Sequence, residues 1–168
     1  VLVAIMIAAT AGRHLSGLKD SFAGLVSVNG RANEALGFAA VALVILFKTA
    51  AAESMDEIAT SSWLLAPVIA RWGLLIFLYG YHTRFDESAR PLAEQINFPA
   101  VLAATVVTLT LSVYFLGRKG LWIALAVSIF TLALRGLFYR RHKAILPANF
   151  GAAVELCEAL SLVLLASR

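Results

Sequence analysis

The 168-residue chain has a single cysteine, Cys157, four prolines and only ten acidic residues. One cysteine excludes an internal disulfide, and with it the cross-linked scaffolds of small secreted domains. Charged residues make up 14% of the sequence, against roughly 25% in an average soluble domain. That is too little to coat a water-facing surface. Tandem repeats and low-complexity stretches are missing, as is any basic block interleaved with aromatics, so nucleic acid is not an expected partner. The net charge of +4 therefore bears on topology. What fills the chain is apolar sequence: 61% of residues are hydrophobic and the mean hydropathy is +0.85. Long apolar runs of this kind face lipid or one another, and a lipid-facing backbone must satisfy its own hydrogen bonds. The composition predicts an all-α polytopic transmembrane helix bundle, with residues 1–168 forming a single membrane domain whose partner is the lipid bilayer.

The spans follow from the runs. Val1 to Ala11 is at most about 17 Å long as a helix, short of the ~30 Å hydrocarbon core, and is expected to be a partial or short first span. No charged region precedes it and no small-residue cleavage site follows, so it does not read as a signal peptide. Full spans are expected at about Ala35–Ala52, Ile58–Tyr81, Pro99–Leu116, Leu121–Phe138 and Ile145–Ala166. Five full spans plus the short first one result. Arg118, Lys119 and Gly120 read as a tight turn, and residues 82–97 as a polar connection.

Loop charge orients the bundle. Arg13, Lys19, Arg31, Arg84, Arg90, Arg140, Arg141 and Lys143 fall on one side, and only Arg118, Lys119 and Arg168 on the other. By the positive-inside rule the first side is cytoplasmic. His82 and His142 sit beside that surface as interfacial anchors, a cofactor-ligating role being the alternative.

Lys48, Arg71, Arg135, Glu155 and Glu158 lie in or near the ends of apolar spans, where an unpaired charge costs about 2.5–3.5 kcal/mol on insertion scales. They need partners or water. Glu155 and Glu158, three residues apart, share a helical face that Arg71 or Arg135 of a neighbouring helix can meet. Lys48 and Arg135 are expected to snorkel to the interface. Two polar, irregular segments complete the candidate site, His14–Arg31 and Leu146–Gly151, with Gly17 and Gly24 as bends and His14, Lys19 and Asp20 as polar heads.

The segments HLSGLKDSFAGL (His14–Leu25), LAPVIARWGLLIFLY (Leu65–Tyr79) and ANFGAAVELCE (Ala148–Glu158), in this order and spacing, resemble the cobalamin-5′-phosphate synthases, the adenosylcobinamide-GDP ribazoletransferases. The resemblance runs from the family's middle to its C-terminus, with the family's N-terminal helices absent. It implies an all-helical inner-membrane enzyme of a bacterium or archaeon that joins GDP-activated cobinamide to α-ribazole or its phosphate and releases GMP. It also implies Mg²⁺ held by aspartates at the cytoplasmic face. Carboxylates suit that task because phosphoryl transfer gathers negative charge on a diphosphate, which hard divalent cations neutralise.

The chain departs from the family where acidity matters. The first motif resembles H-L-D-G-L-A-D-T-x-D-G; His14, Gly17, Asp20 and Gly24 are kept, whereas Ser16 and Ala23 replace carboxylates. The second, resembling K-D-S-R-x-G-x-x-G, falls on Asn29 to Gly37, with Gly30 at the aspartate and Gly37 retained. The third keeps Gly151, Ala152, Glu155 and Glu158, with Pro147, Ala148 and Asn149 in place of its Thr-Gly-Asp. A substrate-binding or vestigial site is thus expected from His14, Ser16, Lys19, Asp20, Arg71 and Asn149, with Asp20, Asn149 and Glu155 the remaining metal ligands.

Three functions are compatible with these residues. The first is a non-catalytic accessory or structural subunit, a degenerate bundle that needs no cofactor and whose polar interior is covered by other membrane-protein chains. The second is an active Mg²⁺-dependent ribazoletransferase. The third is a small transporter or proton relay built on Glu155, Glu158 and Arg71, although no inverted repeat accompanies it.

Overall fold

The structure, a computed structural model, describes residues 3, 12–28, 31–54, 60–80 and 84–167, the side chains of 27–28 and 60–62 excepted. The short first span, apart from Val3, lies outside the described residues, as do Asn29, Gly30 and His82. Helix α1 (Arg13–Ala23) leads into a two-residue antiparallel ladder, β1 (Ser27–Val28) and β2 (Arg31–Ala32), in which Ser27 pairs with Ala32 and Val28 with Arg31. Then come α2 (Glu34–Ser54), α3 (Thr60–Leu78), the short α4 (Arg90–Glu94), α5 (Phe98–Leu116), α6 (Arg118–His142) and α7 (Ala148–Ala166). The protein is an all-helical polytopic bundle. Four helices, α2, α5, α6 and α7, are long and apolar enough to cross a membrane, and Trp63–Leu78 of α3 is a shorter apolar helix.

Local chemistry sets the helix ends. The Asn97 side chain accepts from the Ala100 amide at 3.0 Å, and Pro99 occupies the first turn of α5, where a missing N–H costs nothing. Gly117, at φ 56°, makes the bend between α5 and α6. The expected turn at Arg118–Gly120 is therefore corrected: these residues already belong to α6, because Gly117 alone supplies the positive-φ bend. Gly120 instead brings α6 against the Ser112 backbone of α5, leaving no room for a Cβ.

The segment read as irregular between His14 and Gly24 is a regular helix. Leu15, Leu18 and Phe22 recur at helical spacing and pack on the core, with Leu18 fully buried. Gly17 is not a bend but a contact point. A Cβ there would sit 2.7 Å from the Ala148 carbonyl oxygen, and one on Gly151 would sit 2.9 Å from that of His14. In lipid, helix association gains little from apolar burial and depends on close packing, so facing glycines dock α1 onto the start of α7. Gly37 does the same for α2, its would-be Cβ lying 2.5 Å from the Lys19 carbonyl oxygen.

Helix α7 is the hub, packed by α1, α2, α3 and α6. Its buried run from Gly151 to Glu155 continues through Cys157, Glu158 and Ala159, whereas α5 buries only Thr108 and Ser112. The basic segments share one end of the bundle: Ile145 donates to the Arg84 carbonyl and Asp86 to that of Ile145, while Gly24 lies against His142. At the opposite end Lys119 donates to the carbonyls of Leu165 and Ser167.

Candidate functional site

Three helices, α1, α2 and α7, converge on a polar junction below the basic end. Lys48 of α2 places its ammonium 2.6 Å from Glu155 Oε2 and 3.3 Å from Glu158 Oε1 of α7. Lys48 is 2% exposed, Glu155 3% and Glu158 4%, so the triad is shielded from solvent. From α1, His14 brings Nδ1 to 3.9 Å of Glu155 Oε1. Burial pushes the His14 pKa below its ordinary value; Glu155 pulls it up, and the charges of Arg71 and Lys48 add to the lowering.

These positions correct the expected pairing. The cation that meets the glutamates is Lys48, which does not snorkel, because two facing carboxylates at three-residue spacing hold its ammonium where a water-filled interface would only solvate it. Arg71 is exposed on α3 and donates to the Pro67 carbonyl oxygen at 3.0 Å. Arg135 reaches the end of α3 instead, donating to the carbonyl oxygens of Tyr79 at 2.8 Å and Ile76 at 3.3 Å, groups a helix terminus otherwise leaves open.

A second set lies nearer the basic surface. Lys19 bridges Asp20 Oδ1 at 3.4 Å and Glu34 Oε2 at 3.0 Å, with its ammonium 5.4 Å from the centre of the Phe38 ring. Ser16 is exposed one turn before Asp20. Asn149 is fully buried at the start of α7: its Oδ1 accepts from the Leu146 amide at 2.8 Å, and its Nδ2 donates to Ser21 Oγ at 2.9 Å. Sequence reasoning missed Ser21 and Glu34. Glu34 opens α2 as an acidic first-turn residue, a signal that local capping supplies. Ser21 meets Asn149 across 128 residues, which no local pattern reveals.

The donor chemistry here does not fit Mg²⁺. A hard divalent cation needs several free, negatively charged oxygens. Glu155 and Glu158 share an ammonium, Asp20 and Glu34 share another, and both polar ends of the Asn149 amide are already used. Ala23, at a position where the resemblance implies a carboxylate, is 2% exposed against α2. Among the described residues no three His, Cys, Asp or Glu side chains gather as a metal centre.

Fold and junction together define a multi-pass helical membrane protein with charged groups paired inside its bundle. The family model for cobalamin-5-phosphate synthase matches residues 1–166, and the chain belongs to that family. It is 28% identical to an adenosylcobinamide-GDP ribazoletransferase of Synechocystis sp., over 97% of this chain and 70% of the relative. With the enzyme of the same name from Roseiflexus sp. it shares 30% identity over 98% of this chain and 66% of the relative. A third such relative, from Geotalea daltonii, is 27% identical over 98% of this chain and 71% of its own length. The chain thus spans about two thirds of these relatives. No solved structure matches it.

Proposed function

We propose that this protein is a non-catalytic member of its family, an accessory or structural subunit of a membrane complex. One observation carries the reading: at the junction and in the set nearer the basic surface, Glu155, Glu158, Asp20 and Glu34 are each paired with a lysine of the chain itself. Ion pairs of this kind occupy carboxylate oxygens, and each lysine offsets one of the two negative charges it faces, which weakens the pull on a divalent cation and a diphosphate substrate. In this reading the helical membrane fold of the family serves as a scaffold rather than as a catalyst. In this reading the basic end faces the cytoplasm, the orientation that the positive-inside rule favours for its eight Lys and Arg positions.

The test is direct. Purified protein, supplied with adenosylcobinamide-GDP, α-ribazole and Mg²⁺, is expected to form no product under conditions in which one of the named relatives does. Product formation that disappears in Asp20→Ala establishes the alternative, an active ribazoletransferase. Gentle-detergent purification is expected to bring down other membrane chains; a lone, monodisperse protomer removes the subunit role.

A further inference from the structure

Between α2 and α6, with α7 as its floor, runs a groove of about 340 Å³ that opens to the membrane side of the bundle. All its lining side chains are apolar, among them Ala40 and Phe47 of α2, Phe130 of α6, and Ala159 and Val163 of α7; Phe22 closes its upper end. Phe47 and Val163 are 56% and 41% exposed, so the lower part is open along its length. Along α2 the lining from Ala40 to Phe47 covers about 10 Å, starting roughly 9 Å below Glu34. That places it within the leaflet at the basic end.

On the α6 side the upper end carries exposed cations, while Glu34 and Asp20 on the α2 and α1 side are paired with Lys19. Arg141 follows Phe130 by eleven residues, close to three helical turns, and therefore projects from nearly the same side of α6 about 16 Å nearer the surface. Arg140 adjoins it and Lys143 follows, all three exposed. Leu137, seven residues beyond Phe130 and 40% exposed, lies between them on the same line. The separation suits a phospholipid, whose phosphate belongs at headgroup level and whose chain descends the hydrocarbon beneath it.

We propose that this groove is a specific site for an anionic phospholipid, one acyl chain lying between α2 and α6 on α7 and the headgroup phosphate meeting Arg140 and Arg141. The apolar lining selects a chain, and the basic pair selects the headgroup's charge. Neither part rests on whether the protein is catalytic. The groove is a lengthwise slot rather than an annular surface such as the outer face of α5, where Leu102 and Val106 stand exposed.

The experiment uses the full chain in nanodiscs doped with phosphatidylglycerol or phosphatidylcholine, each bearing a photoreactive group near the middle of one acyl chain. Phosphatidylglycerol is expected to label Phe47 and Val163 above the level at Leu102 and Val106, and phosphatidylcholine to label both faces alike. Arg140→Gln with Arg141→Gln should lower the preference about five-fold for each arginine removed. Ala159→Phe, which fills the groove, should abolish the excess; the surface arginine pair keeps the test decisive if that variant misfolds. Equal labelling by the two lipids, or the same preference without the arginines, overturns the site. So does a co-purified membrane helix that cross-links to Phe47 in place of lipid.

Discussion

The Lys48 ammonium lies 2.6 Å from Glu155 and 3.3 Å from Glu158, joining α2 to α7 where both helices are otherwise apolar. Such a contact is held by mutual need more than by net attraction, because each partner would be a costly isolated charge without the other. Lys48→Met should therefore be severe, lowering stability by about 3–5 kcal/mol by leaving buried carboxylates uncompensated. Lys48→Met combined with Glu155→Gln and Glu158→Gln should recover much of that loss. Thermal melts in detergent measure both; a single variant as stable as the parent would show that the triad is hydrated rather than closed.

Much of this arrangement was legible in the sequence, and the division has a physical cause. Spans are written in hydropathy, and the apolar runs match α2, α3, α5, α6 and α7 because lipid leaves the backbone no alternative to the helix. The shared face of Glu155 and Glu158 follows from three-residue spacing. Which cation meets that face depends on how α2 is rotated and placed against α7, and neither Lys48 nor the glutamates encode that locally. Helix α1 was hidden by its polarity: its charged exposed side, Gly17 within it and Gly24 just past its end masked the spacing of Leu15, Leu18 and Phe22.

The glycine contacts give a sharper test of packing. Gly17→Val should separate α1 from α7, since even a Cβ would press on the Ala148 carbonyl oxygen at 2.7 Å, and should cost about 1–3 kcal/mol. Gly136 is the control. A Cβ there meets nothing within 4 Å, so Gly136→Ala should be neutral or raise stability by up to about 1 kcal/mol through helix propensity. Equal effects of the two substitutions on melting temperature would remove the claim that Gly17 is a contact point.

His14 links the junction to pH. Its pKa is held below 6.5 in the folded protein, first by burial, then by the balance of Glu155 against Arg71 and Lys48. The unfolded chain therefore binds this proton more readily than the folded one does. Stability is complete above the unfolded pKa and falls as the pH drops through and below it, which places the loss below about pH 6.5. His14→Gln should flatten that part of the melting profile, and carbon-13 shifts of the labelled imidazole should report a neutral ring at pH 7. A ring found protonated at pH 7 would reverse the sign of the effect.

Asn149 separates a structural amide from a metal ligand. With both its polar ends committed, to Leu146 and Ser21, Asn149→Ala leaves a half-buried amide and a buried hydroxyl without these partners, for a loss of about 1–3 kcal/mol. Asn149→Asp is more telling. If the side chain stood in for a ligand, restoring a carboxylate would create affinity for Mn²⁺, readable as loss of the free-ion paramagnetic resonance signal. The observed geometry predicts otherwise. A carboxylate would still accept from the Leu146 amide, but it would bring an uncompensated charge into a fully buried position and have no N–H to offer Ser21. The variant should melt lower than the parent and leave the Mn²⁺ signal unchanged; ion binding by Asn149→Asp would mean that the acidic site is one substitution from restoration and that the lysine pairs do not close it.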